Sequence, residues 1–76
     1  MNNTRRTAIA KLNSQLEDIK SQVESLLSDE QDAYDNMPES FQDGERGELA
    51  QSAISNLEDA VSSLEDAFNS LEESAQ

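Results

Sequence analysis

Arg46 is the one basic residue beyond position 20, and it closes a run that holds two of the three aromatics, Tyr34 and Phe41. Asn36, Ser40 and Gln42 lie in the same run and add hydrogen-bonding groups. An arginine fork pairs with phosphate, an aromatic face stacks a base, and free amides at the start of a helix bind anions. Together these are the parts of a nucleotide site. The same residues also have a plainer use: Tyr34 and Phe41 can plug one end of a helical bundle, with Arg46 tying down an acid across the turn.

A second pattern is carried by carboxylates. Glu58/Asp59, Glu65/Asp66 and Glu72/Glu73 recur every seven residues, about 10.5 Å apart along a helix. Duplex DNA carries about one charge per 1.7 Å of axis, so a rod of carboxylates can imitate a phosphate track and occupy a DNA-binding protein. Glu58, Asp59, Glu65 and Asp66 are the candidate protein-binding residues. The plainer reading is that these are the water-facing positions of a soluble helix. Asp29, Glu30, Asp32 and Asp35 form a further acidic cluster. They lack the spacing of a calcium loop, so a solvated helix face is expected there and no metal site.

Covalent chemistry has little to work with. The chain has no Cys and no His, and its two lysines are Lys11 and Lys20. Its serines therefore lack the usual base beside them. The paired carboxylates face water, where nothing splits their pKa values for acid–base work. No enzyme activity and no cofactor are expected.

The elements that position these groups are legible from heptads. Ile54, Val61 and Phe68 take position a, Leu57, Leu64 and Leu71 take d, and Ala53, Ala60 and Ala67 fall at g. In the first half Ile9, Leu12, Leu16, Ile19, Val23, Leu26, Ala33 and Met37 keep the a and d register, with Leu27 and Tyr34 widening the stripe at e. This alternation of three and four residues is a coiled-coil seam. Glu30 breaks it at an a position, where it can set the register, pair with Arg46 or face a ligand. Pro38, Gly44 and Gly47 punctuate the middle. Pro38 cannot continue a helix but can open one. The spacing predicts one domain over 1–76: a helix over about 4–36, a connector over 37–45 with a helical turn near 38–42, and a helix over about 45–73. Thr4 or Asn3 is expected to cap the first long helix and Asp43 the second.

The expected fold class is all-α, an antiparallel helical hairpin. Antiparallel pairing sets Arg5, Arg6 and Lys11 beside Glu65, Asp66, Glu72 and Glu73, easing charges that oppose each helix dipole. A chain of 76 residues is marginally stable alone, and without Cys or His it has neither disulfide nor zinc to staple it. Two helices alone would leave Ala53, Ala60, Ala67, Leu27 and Tyr34 partly wet, so a homodimer forming a four-helix bundle, or a higher oligomer, is expected. The net charge of −12 disfavours direct nucleic-acid binding. No apolar run long enough for a membrane span and no secretory signal is present, so a cytoplasmic protein is expected.

The run Tyr34-Asp-Asn-Met-Pro-Glu-Ser-Phe-Gln-Asp-Gly-Glu-Arg-Gly47, followed by Asn56-Leu-Glu-Asp-Ala-Val-Ser-Ser-Leu-Glu-Asp-Ala67, resembles a family of small acidic two-helix proteins of phages and prophages. Its members carry an Asn-x-Pro-Glu-Ser-x-Gln…Glu-Arg-Gly segment between two helices. Gly44 departs from that pattern, where relatives have a helix-compatible residue. The resemblance implies a phage origin, a bacterial host cell and a two-helix fold, and carries no activity of its own. In such a setting the expected function is a non-enzymatic counter-defence protein that sequesters a host immune component. That component would be a nucleotide signal held at the connector and the start of the second long helix, by Tyr34, Asn36, Ser40, Phe41, Gln42 and Arg46. One alternative is an acidic decoy or DNA mimic that binds a host defence protein through its carboxylate face. Another is a structural helical oligomer whose function is its own seam.

Overall fold

The computed structural model describes residues 2–76. Asn2 has extended backbone (φ −81°, ψ 166°), and its side chain accepts from the Arg5 amide at 2.8 Å. It therefore caps α1 (Asn3–Asp35), one or two residues earlier than Asn3 or Thr4 would. An asparagine outside the first turn can reach the third amide, whereas Asn3 and Thr4 already have helical backbone. The helix ends as Pro38 approaches, because a prolyl ring disfavours helical geometry in the residue before it.

Pro38 then opens α2 (Glu39–Gln42), its carbonyl accepting from the amides of Phe41 at 2.9 Å and Gln42 at 3.1 Å. α3 runs over Glu45–Ser74. Its N-cap is the extended Gly44, with no side-chain bond, and not Asp43. Asp43 is spent on ending α2, where its amide bonds the Glu39 carbonyl. At Gly47 the end of α2 crosses the first turn of α3 so closely that a Cβ would overlap the Gln42 carbonyl. A glycine is needed there for close approach, not for an unusual φ.

α1 and α3 lie antiparallel in a rod of 58 × 15 × 12 Å. Three side-chain links set their register. The Asn13 amide donates to the Phe68 carbonyl, Lys20 pairs with Glu65, and Gln51 donates to the Tyr34 hydroxyl.

These links also set the rotation of α1, which differs from the expected seam. The residues it turns toward α3 are Ile9, Asn13, Leu16, Lys20, Val23, Leu27, Glu30, Tyr34 and Met37, all buried or half-buried. These are positions a and e. Leu27 and Tyr34, expected to stay wet, sit in the seam. The d row is left outside it: Leu12 is 50% exposed, Ile19 46% and Leu26 57%. The physical reason is the e edge, where Asn13, Lys20 and Tyr34 each find a polar partner on α3 that leucines at d cannot offer.

On α3 the inward face is broad. Gly47, Ala50 and Ile54 are buried, and Ala53, Leu57, Ala60, Val61, Leu64, Phe68 and Leu71 half-buried. The core is thin: among the described residues Ala50 and Ile54 are the buried apolar side chains. No described helix is long and apolar enough to cross a membrane.

Candidate functional site

The connector residues gather in two small groups. In the first, the half-buried Tyr34 ties α1 to the rest. Its carbonyl accepts from Gln42 Nε2 at 2.9 Å, and its hydroxyl accepts from Gln51 Nε2 at 2.6 Å. In the second, the Arg46 guanidinium lies 5.5 Å from the centroid of the Phe41 ring, within cation–π range. Phe41 is 47% exposed and Arg46 is exposed. Asn36 caps the end of α1 and Ser40 is exposed on α2. Arg46 thus stacks on Phe41, and among the described residues it forms no ion pair with Glu30.

The start of α3 is electrostatically mixed. Its amide dipoles favour an anion, but Glu45 and Glu48 stand in the same first turn and offset that end. Gln51 belongs to this end of the molecule although its sequence offered no reason to single it out. Its only signal is an e position on α3, the edge that meets the e edge of α1.

The carboxylate face sits along that same edge. Glu58, Asp59, Glu65 and Asp66 are all exposed. Glu65 and Glu58 border two shallow grooves between the long helices. One, of about 250 Å³, is lined by Leu16, Glu17, Lys20, Leu64, Glu65, Phe68 and Asn69. The other, of about 450 Å³, is lined by Glu24, Leu27, Ser28, Gln31, Asp32 and Glu58. The first has Leu16, Leu64 and Phe68 as an apolar floor with Glu17 and Glu65 beside Lys20, and the second has Leu27 as its apolar side chain among Glu24, Asp32 and Glu58. Asp59 and Asp66, one position further round α3, line neither groove. Glu17 and Glu24 of α1, which no sequence pattern singles out, join this strip, and Asp32 of the α1 acidic cluster lines the second groove. Glu17 and Glu24 stand on this side of the hairpin because position b lies next to e on a helix, and Asp32, at c, borders the second groove from further round α1.

Lys20 is the base in this acidic strip. Its Nζ lies 2.9 Å from Glu65 Oε1, with the lysine side chain 31% exposed. The hydrogen bond to Glu65 raises its pKa, desolvation opposes the rise, and the charges of Glu65, Glu24 and Glu17 add to it. The lysine is therefore held as a cation by the groove around it. Among the described residues no group of three or more potential ligands is placed to hold a metal ion.

The arrangement is a strip of carboxylates around one lysine. What it can do is hold positive charge: Lys20 shows how, with an aliphatic stem along the groove and an ammonium between carboxylates. Comparison with protein-family models, with curated proteins and with solved structures returns no match for this chain.

Proposed function

We propose that this chain is a non-enzymatic binding protein that holds a basic segment of a partner protein along its acidic groove. In the phage setting suggested by the resemblance, the partner is a host defence protein kept occupied, and the working unit is a homodimeric four-helix bundle. The observation that carries the reading is the seat of Lys20. An internal lysine already lies in the groove against Glu65, with Glu17 and Glu24 adding to its charged state. The second groove repeats the chemistry with Glu24, Asp32 and Glu58 around Leu27 and has no lysine in its lining. A lysine- or arginine-rich partner segment would extend the same pattern, its stems on the apolar floor and its charges on the walls.

The test is titration with a fluorescent oligolysine probe at several salt concentrations. Binding should weaken steeply with salt. It should be lost in the combined variant Glu58→Gln, Asp59→Asn, Glu65→Gln, Asp66→Asn, whose fold is checked by circular dichroism. Unchanged affinity in that variant would remove the proposal.

A second reading has its own observation. The exposed Phe41–Arg46 stack presents an aromatic face and a guanidinium together, which suits a nucleotide at the connector. It is tested by a thermal-shift screen against linear and cyclic nucleotides. A ligand at about 100 times its dissociation constant adds about 2.7 kcal/mol of stability. Arg46→Ala should abolish the shift, and a flat panel would end this reading.

A further inference from the structure

The two sides of the hairpin differ sharply in charge. On one side lie the acidic grooves. On the other, the d row left outside the seam, Leu12, Ile19 and Leu26, runs beside the g row of α3, Ala53, Ala60 and Ala67. The pairing of Lys20 with Glu65 puts the e edges of both helices together. The d edge of α1 and the g edge of α3 must then share the opposite side. The positions flanking these rows are Ala8, Gln15 and Gln22 on α1 and Leu49, Asn56, Ser63 and Ser70 on α3. From Ala8 to Leu26 on α1, and from Leu49 to Leu71 on the d, g and c positions of α3, this side carries no charge, on a chain whose net charge is −12.

We infer that this face is covered by a second copy of the same chain, with α1 of each copy lying over α3 of the other. The inference deepens the dimeric unit proposed above by naming its surface and arrangement. Three arguments select the occupant. The first is area. The chain exposes 5546 Å², whereas a compact monomer of this length exposes about 4600 Å². The excess, about 900 Å², is close to the ~800 Å² that each partner contributes to a standard stable interface.

The second argument is charge. Two chains of −12 repel each other, and docking through a charge-free face keeps their acids furthest apart. A basic partner would be drawn to the grooves instead.

The third argument is shape. Large residues at d and alanines at g repeat every seven residues, about 10.5 Å. The register set by Lys20–Glu65 and Asn13–Phe68 puts Ala67 at a level between Leu12 and Ile19, and Ala60 between Ile19 and Leu26. A two-fold axis parallel to the helices lays the large row of each copy over the small row of the other, so side chains drop between alanines. It also sets Arg5 near the acidic end of the other copy's α3. A two-fold axis across the helices would instead stack large row on large row and leave the alanines facing a gap.

Sedimentation equilibrium on the native chain should give twice the chain mass, and its melting temperature should rise with concentration. A monomer at every concentration would overturn the inference. Ile19→Lys, which places a charge on the face but leaves the hairpin seam intact, should weaken association by about a hundredfold or more. Ser21→Lys, on the outer surface of α1, should leave it unchanged. A dimer undisturbed by Ile19→Lys would also overturn the inference.

Introduced thiols read the arrangement, since the chain has no cysteine. Mixed Ile19→Cys and Ala67→Cys chains should form a covalent heterodimer on mild oxidation. Efficient cross-linking of Ile19→Cys to itself would overturn the α1-over-α3 arrangement. The charge-neutralised groove variant should still dimerise. Failure of basic-probe binding with an intact dimer therefore counts against the groove reading alone, whereas a monomer that still binds the probe overturns this inference and the dimeric unit it rests on and leaves the groove reading standing.

Discussion

The Asn13 side-chain amide donates to the Phe68 carbonyl at 3.3 Å across the hairpin, while its own Oδ1, buried in the same seam, finds no donor among the described residues. Asn13 is 7% exposed. A buried acceptor without a partner costs about 1–3 kcal/mol, and the single long donated bond offsets only part of that. A polar residue kept at such a position acts by fixing register, as a lone asparagine does in a coiled coil. Asn13→Leu should therefore raise stability by about 1 kcal/mol, read as a higher urea midpoint at unchanged slope. It should also speed amide hydrogen exchange near Phe68 as the helices gain freedom to slide. A lowered midpoint would mean that the bond to Phe68 outweighs the orphaned oxygen.

Lys20 gives a prediction with a defined sign. Its pKa is raised above the ordinary 10.5 by the hydrogen bond to Glu65, against an opposing desolvation, with charge from Glu65, Glu24 and Glu17 adding to the rise. A group whose folded pKa exceeds its unfolded value stabilises fully below the unfolded pKa and loses that contribution as pH rises through the folded one. The melting temperature of the native chain should exceed that of Lys20→Met by a steady margin through neutral pH. The margin should shrink once pH passes about 10.5. Because the pair is partly exposed, added salt should narrow it at neutral pH too. A margin indifferent to both would show that the methylene stem of Lys20, not its charge, matters in the groove.

Local signals account for what was legible in the sequence. Pro38 acts on its immediate neighbours, so the end of α1 and the turn of α2 follow from it. The heptads of α3 name its inward face because a, d and g are all apolar there. The rotation of α1 was not legible. Rows a/d and a/e both satisfy a repeat of three and four residues, and both are mostly apolar in this chain. The choice is made by partners such as Asn13 and Phe68, which are 55 residues apart, and no local pattern encodes them. The caps show the same limit on a smaller scale. Asn2, Asn3 and Thr4 are all good capping residues, as Asp43 and Gly44 both are, and only the path of the chain selects one. Among the site residues, Arg46 and Phe41 come together as neighbours across one turn. The part played by Glu17 and Glu24 depends on how α1 is turned, and so stayed hidden with it.

The Phe41–Arg46 stack should contribute little to stability. A cation 5.5 Å from an exposed ring is worth about 0.5–1 kcal/mol, so Arg46→Ala should lower the urea midpoint by no more than that. Arg46→Lys should not fully restore it, since a guanidinium lies flat on a ring and an ammonium does not. A much larger loss would place Arg46 in the packing of the connector and weaken its candidacy as a free ligand contact.

The two glycines at the start of α3, Gly44 at its N-cap and Gly47 in its first turn, should respond in opposite ways. Gly44 is the extended N-cap of α3, and a Cβ there would meet the Ser40 carbonyl oxygen at 3.5 Å, an ordinary contact. Gly44→Ser supplies a hydroxyl to a first-turn amide that has no side-chain acceptor, so it should be neutral or stabilising by a few tenths of a kcal/mol. Gly47 has helical backbone, where alanine is ordinarily better by about 1 kcal/mol. Yet a Cβ at Gly47 would overlap the Gln42 carbonyl and come within 2.7 Å of the Gln42 Cα. Backbone cannot yield as the end of a flexible side chain can, so α2 must lift away from α3. Gly47→Ala should therefore cost about 2 kcal/mol and free the Gln42–Tyr34 bond, seen as faster exchange of the connector amides. If Gly47→Ala proved stabilising, helix propensity would have won and α2 would not be held against α3 at all.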